Sequence, residues 1–386
     1  MMDPVGEGNS SALRTGPVLS VASVTEASVS VSSVSVSSVS VSSVSVPSDS
    51  LPSGVIPTAT SPVPTPSETV AIVGAGAAPR RRVGFSELRV FPIAISGKVF
   101  GWKADDITTD AILDAYAAHG GNFLDTADSY SSGRSELMIG NWLRSRRNRD
   151  EMVVATKVGK SAEHPGVKAR AITAAVEDSL RRLRTDRIEL LYLHVDDPDV
   201  AFEETLLAVD ELIRAGKVIA FGGSDHTGNR IFEARIASAQ LGVAPMVALQ
   251  NRYNLVEREG YEGDLEHIAD RVGLGVMPRF ALANGFLGGR YRSKADLARN
   301  DRGSEVSKYV TRRGLKVLAT LDEVATTHDA SMSTIALAWL LSKPNVVAPV
   351  VSASGAEQVF DLVAAPEVRL TRHELTMLDR ASGPRR

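Results

Sequence analysis

The amino-acid sequence predicts an α/β protein, a (β/α)8 barrel of the TIM type preceded by a disordered low-complexity tail. Three observations lead there: short apolar runs alternate with segments of helical spacing from residue 83 onward, eight such runs occur, and the first 80 residues differ in kind from the rest. Runs of four to eight apolar residues have the pattern of strands buried on both faces, which a parallel sheet requires. Eight strand and helix units over roughly 300 residues suit a closed barrel better than an open doubly wound sheet.

The tail comes first. A Ser/Val pentad repeats from Val29 in "VSVSSVSVSSVSVSSVSV", and the proline-dense "LPSGVIPTATSPVPTPSE" follows. Alternating Val and Ser fit a strand locally, but without aromatics the segment buries too little area to offset its ordering entropy. Disorder is expected over residues 1–82, with the barrel at 83–386. "TVAIVGAGAAPRR" begins like a dinucleotide-binding turn with Gly74 and Gly76, yet Pro79 and three arginines stand where a helix should open. A linker solvated by "PRRR" at 79–82 is the expectation there.

The barrel strands are expected in "FPIAIS", "NFLDT", "MVVATK", "IELLYLH", "KVIAFGGS", "PMVALQ", "LGVMPR" and "NVVAPVVS". Helical stripes separate them. "TTDAILDAYAAHGG" places Ile112, Leu113 and Tyr116 on one face and stops at a glycine pair. Similar spacing marks "SELMIGNWLRSRR", "VKARAITAAVEDSLRRLRT", "AFEETLLAVDELIRAGK", "NRIFEARIASAQLG", "RRGLKVLATLDEVATTH", "SMSTIALAWLLSK" and "GAEQVFDLVAA".

Bulk properties narrow the function. Lys and Arg number 43 against 46 Asp and Glu, a net charge of −3, and no basic stretch is interleaved with aromatics, so nucleic acid is not expected as a partner. The chain has no cysteine, which excludes thiolate catalysis and fits a reducing cytoplasm. No apolar run approaches the roughly 18 residues of a membrane span, and "MMDPVGEGNS" lacks the features of a signal peptide. A soluble, cytoplasmic protein is expected.

In a barrel of this kind, chemistry belongs at the carboxyl ends of the strands. Read there in order, the runs end on Asp125 with Tyr130 just beyond, then Lys157, His194, Ser224, Gln250, Arg279 and Ser352. An acid, a phenol, an amine and an imidazole thus meet at one mouth. Ending a buried strand on Asp125 is costly without a partner, and Lys157 supplies one. A neighbouring ammonium lowers a phenol's pKa, so Lys157 is expected to lower that of Tyr130 and make its proton mobile. His194 can then hydrogen-bond a substrate carbonyl and polarise it.

The ordered series "NFLDTADSYSSGRSE", "VVATKVG", "LLYLHVDDPD", "ELIRAGKVIAFGGSD", "VALQNRYNLVER", "GVMPRFALANGFLGGRYR" and "LAWLLSKPNVVAPVVSASGAEQ" resembles the aldo-keto reductase superfamily from about Val83 onward. The resemblance is to the actinobacterial type and the branch that includes potassium-channel β-subunits. It implies a barrel that binds NAD(P)H without a Rossmann domain and reduces an aldehyde or ketone, with hydride from the nicotinamide and a proton from Tyr130. It assigns Asp125, Tyr130, Lys157 and His194 to catalysis. Ser224, Asp225 and Gln250 go to the carboxamide, and Gly97, Arg279, Leu282, Ser352, Ser354 and Gln358 to the rest of the cofactor. Phe100 and Trp102 in "ISGKVFGWK" are expected to wall the substrate pocket. The charged segment "RYRSKADLARNDRGSEVSKYV" is expected to act as a flap.

Three positions depart from the family pattern. Asp225 replaces the usual asparagine and cannot donate to the carboxamide. Arg279 stands where a tyrosine often stacks on the nicotinamide, and a guanidinium is repelled by the oxidised ring, which favours the reduced cofactor. "SASGAEQ" lacks the basic residue that usually grips a 2'-phosphate, so NADPH is expected only narrowly ahead of NADH. A cofactor-binding regulatory or scaffold subunit with weak turnover is the alternative. A metal-dependent hydrolase would need more ligands at the strand ends than His194 and Asp125, and no metal site is expected.

Overall fold

The computed structural model describes residues 78–298 and 303–383 of the chain. Residues 1–77 of the expected tail and linker, the Gly74/Gly76 turn included, lie outside the described residues.

Eight parallel strands form the barrel: β3 (Ala94–Ser96), β4 (Phe123–Asp125), β5 (Val153–Val158), β6 (Ile188–Leu193), β7 (Val218–Ser224), β8 (Ala248–Gln250), β9 (Gly275–Val276) and β10 (Val350–Val351). From β3 to β9 each pairs in parallel with its neighbour, and β10 pairs with β3. The ring closes between β9 and the approach to β10, where Val347 N–H donates to Val276 O at 2.8 Å and Val350 N–H to Pro278 O at 2.8 Å. A closed ring leaves no exposed edge.

Ahead of the barrel, β1 (Arg81–Arg82) and β2 (Arg89–Val90) form an antiparallel hairpin. This corrects the reading of "PRRR" as a solvated linker. Arg81 is part-buried and donates to Leu341 O at 3.0 Å and Val346 O at 2.8 Å. Val83 and Val90 join Phe123, Leu190, Tyr192 and Met277 in the core of the lumen, so the hairpin plugs the amino-terminal end. Gly84 makes its turn at φ +53°, and an added Cβ would sit 2.3 Å from Val247 O. Only glycine tolerates both that backbone and that approach.

Outside the strands lie α1 (Asp106–Ala118), α2 (Arg134–Arg146), α3 (Ala169–Leu183), α4 (Phe202–Arg214), α5 (Gly228–Leu241), α6 (Asp264–Val272), α7 (Lys294–Ala298), α8 (Gly303–Val306), α9 (Arg312–Thr327), α10 (Met332–Leu341), α11 (Glu357–Val363) and α12 (Arg372–Ser382). The stripe expected on α1 is the one buried: Ile112, Leu113 and Tyr116. Asp105 caps its start by accepting from Thr108 N–H at 2.8 Å, and Tyr116 Oη donates to Ile93 O at 2.6 Å, fixing the helix to the strand it follows. On α3 the buried set Ile172, Ala175, Val176, Ser179, Leu180 and Leu183 follows the same spacing. Helix α10 is apolar all round and is covered by its neighbours, as such a helix must be. Besides the short α7 and α8 in the segment expected to be a flap, two helices, α6 and α12, were not expected. The second carries a sequence signal, since Thr371 and Glu374 form a reciprocal capping box.

Candidate active site

Both oxygens of Asp125, at the end of β4, are satisfied: Lys157 Nζ donates to Oδ1 at 2.5 Å and Gln250 Nε2 to Oδ2 at 2.8 Å. Lys157 also donates to Thr126 O at 2.8 Å, and the carboxylate and ammonium are each 1% exposed. Burial alone would favour the neutral amine. The Asp125 carboxylate and Tyr130 hydroxyl more than offset it, so the Lys157 pKa lies above its ordinary value and the ammonium persists.

Tyr130 lies above this pair. Its ring centroid is 5.1 Å from Lys157 Nζ and 6.1 Å from the His194 ring, which meets it edge to face. Lys157 was expected to lower the phenol's pKa; the net shift is upward. Burial is the larger effect, and the ammonium offsets it only in part. The hydroxyl therefore keeps its proton through the neutral range.

His194 follows β6 with its backbone N–H on Val158 O at 2.9 Å. Burial first, and then Lys157, Lys160, Arg279 and Lys98, pull its pKa down to about 2. A neutral imidazole has one N–H to donate and one nitrogen to accept. Its buried Nδ1 has no partner among the described residues.

Backbone turns hold these groups. Of the ten described non-glycine residues with left-handed backbone, six, Ser131, Ser132, Asp225, Phe280, Ala283 and Asn284, lie on loops leaving β4, β7 and β9. Such conformations cost about 1 kcal/mol or more each and persist only where surrounding contacts enforce them. One such contact is Ser131 Oγ donating to Phe100 O at 2.8 Å.

A cavity of about 610 Å³ opens over Tyr130 and His194, and its wall includes Gln250, Arg279, Leu282, Ser352, Ser354 and Gln358 from the expected set. Trp102, 63% exposed, stands on the rim. Asp125 and Lys157 lie beneath the wall. Ser224, Asp225 and Gly97 are not on it: Ser224 is buried, Asp225 is turned to Arg279, and Gly97 packs under α2, where Ser135 Oγ donates to its carbonyl at 2.8 Å. Phe100 corrects an expectation. It is fully buried in the core between strands and helices and does not wall the cavity.

Two assignments change in detail. Gln250 spends one amide N–H on Asp125, leaving its second N–H and its carbonyl oxygen. Gln358 Oε1 accepts from Ser354 N–H at 3.0 Å, leaving the Gln358 amide as donor. The two departures at Asp225 and Arg279 prove to be partners: Arg279 Nε donates to Asp225 Oδ1 at 3.1 Å, and Nη2 reaches Oδ2.

Sequence reading missed several wall residues. Lys98, Lys103, Lys160 and Arg290 bring cations, and Glu305 and Asp361 acids. Arg290, Tyr291 and Glu305 come from the segment expected to be a flap, of which 299–302 lie outside the described residues. Asp128 was also missed. It is buried with Oδ1 unpartnered, and burial, with Glu136 nearby, pushes its carboxyl up to about 6.

The cavity fits a nicotinamide dinucleotide in size. Its wall offers the hydroxyls of Ser352 and Ser354, the Gln358 amide, Arg290 and the neutral His194.

The aldo/keto reductase family model matches residues 96–382. Aldo-keto reductase ausK of Aspergillus calidoustus is 32% identical over 316 residues, covering 76% of this chain and 78% of its own. Norsolorinic acid reductase of Aspergillus flavus is 29% identical over 313 residues, covering 76% and 78%. Norsolorinic acid reductase B of Aspergillus parasiticus is 28% identical over 318 residues, covering 77% and 82%. The chain belongs to the aldo/keto reductase family, whose members are oxidoreductases that act on small-molecule carbonyls with a nicotinamide cofactor. Among the described residues, no helix is long and apolar enough to cross a membrane.

Proposed function

We propose that this chain is a carbonyl reductase in which Tyr130 protonates the substrate oxygen, His194 orients the carbonyl, and NADPH is the preferred cofactor. The observation that carries this reading is the stack of a protonated phenol over the buried Lys157–Asp125 pair, beside a neutral imidazole on the wall of one cavity.

When bound, the nicotinamide supplies a hydride to the carbonyl carbon. The chain's residues do the rest. A neutral His194 donates one hydrogen bond to the carbonyl oxygen and polarises it, which an imidazolium flanked by four cations would do only at a large electrostatic cost. As negative charge develops on that oxygen, the Tyr130 proton moves to it. Lys157 stabilises the resulting phenolate, a role that matters only once the proton leaves. Asp125 and Gln250 keep the ammonium charged and aimed.

Ser352, Ser354, the Gln358 amide and Arg290 are the residues that would hold the cofactor's phosphates. Arg290 supplies the basic group that "SASGAEQ" lacks, and this supports NADPH over NADH. The naming of the three Aspergillus relatives above as reductases supports the direction of reaction. Consumption of NADPH and NADH with a panel of aldehydes and ketones tests the proposal. Turnover with NADPH favoured is expected, and no carbonyl-dependent consumption of either cofactor would end it.

A further inference from the structure

The chain's net charge is −3, yet the cavity wall carries five cations, Lys98, Lys103, Lys160, Arg279 and Arg290, against two acids, Glu305 and Asp361. Composition does not account for this local excess. Arg279 is paired with Asp225, and the reading above gives Arg290 to the cofactor's phosphates; it gives the three lysines no role.

Their placement is informative. Lys98 and Lys103 stand on the loop after β3, and Lys160 stands just after β5, on either side of the β4 loop that carries Tyr130. The two acids follow β9 and β10 instead. Lys98 Nζ is 4.7 Å from the Phe280 ring centroid, and Lys103 Nζ is 4.8 Å from that of Trp102, so both aromatic faces at the mouth carry an ammonium. Phe280 is held at φ +55°, a backbone rare for a bulky side chain, with Arg252 and Arg279 also against its ring at 3.8 and 4.9 Å. The lysines act electrically on the reaction site, since Lys98 and Lys160 both contribute to lowering the His194 pKa.

We propose that the carbonyl substrate carries an anionic group, in its simplest form a carboxylate, recognised by Lys98, Lys103 and Lys160 beside the aromatic rim of Trp102 and Phe280. This rests on the reductase reading above and names its substrate class. The exposed ammonium groups attract the anion at long range, an effect that salt screens. On closer approach, Lys98 and Lys103 meet the anion from the ring faces of Phe280 and Trp102 on which they lie.

Matched aldehydes test this: 4-carboxybenzaldehyde against 4-methylbenzaldehyde, of similar size, the first anionic and the second neutral. The ratio of their kcat/KM values is expected to favour the carboxylate by about tenfold at low salt, a typical worth for one well-placed charge pair. It should fall toward unity as salt is raised, and Lys98→Met and Lys160→Met should each cut it severalfold. A ratio near unity in the wild type, with both aldehydes reduced, overturns the inference and leaves the reductase reading standing. Lysine variants that weaken NADPH binding without changing the ratio also overturn it, because the lysines would then serve the cofactor. Reduction of neither aldehyde nor any other carbonyl overturns the reductase reading, and this inference with it.

Discussion

Arg279, beyond β9, and Asp225, at the end of β7, form a two-point ion pair that spans the mouth across β8. Each is a departure from the family pattern, and each answers the other. The carboxylate fixes the guanidinium and offsets its charge beside the place where a tyrosine often stacks. Asp225→Asn should unmask that charge and raise the ratio of Kd for NADP+ to Kd for NADPH about three- to tenfold, roughly 1 kcal/mol of added repulsion. Fluorescence titration with both cofactor forms measures it; an unchanged ratio would mean that Arg279 does not face the ring.

Breaking the buried pair should be costly. Lys157→Met leaves Asp125 with Gln250 as its remaining partner, and the unpaired buried carboxylate should cost about 3–5 kcal/mol of stability. The double variant Asp125→Leu, Lys157→Met should lose less than the sum of the two single changes. Chemical denaturation of all four proteins closes the cycle, and strict additivity would argue that the two charges do not depend on each other.

The rate should respond little to pH. His194 stays neutral down to about 2, and the Tyr130 phenol lies above its ordinary value, so neither group changes state between pH 5 and 9. A kcat profile flat across that window is expected. An acid limb centred near 6.5 would mean that His194 titrates freely and that its burial is not maintained during turnover.

Asp128 gives stability a pH dependence of its own. Its folded pKa, about 6, lies above the unfolded value, so the native state holds the proton more tightly. The resulting stabilisation is fully present below about pH 4 and is lost as pH rises through 6. Asp128→Asn removes this term, so its stability relative to wild type should improve by about 2–3 kcal/mol between pH 4 and pH 7. Urea denaturation at both values checks the sign, and a constant difference would contradict it.

Much of this architecture was readable because it rests on local pattern. The strand-to-helix alternation and the buried face of α1 follow from short apolar runs and from helical spacing, and the structure keeps them. What was not readable depends on contacts between distant residues. Nothing in "PRRR" announces that Arg81 reaches carbonyls at Leu341 and Val346, more than 250 residues on. Phe100 and Trp102 are two residues apart, and only the chain's path decides that the first enters the core and the second the rim. The Asp225–Arg279 pair spans 54 residues and looks like two unrelated losses until the barrel brings them together. The lysines near the mouth are scattered singly along the chain, and only the fold gathers them. Tyr130's upward shift reflects a balance of burial against charge that residue types alone do not decide.

The most direct test of the account is the pair of wild type and Tyr130→Phe, each titrated with NADPH and then assayed for NADPH consumption with aldehydes. The account predicts equal cofactor affinity in the two proteins and a kcat lower by about 10²–10⁴ in the variant, the loss expected when a positioned general acid is removed. Equal turnover by both would contradict it, because the proton would then come from a group other than Tyr130.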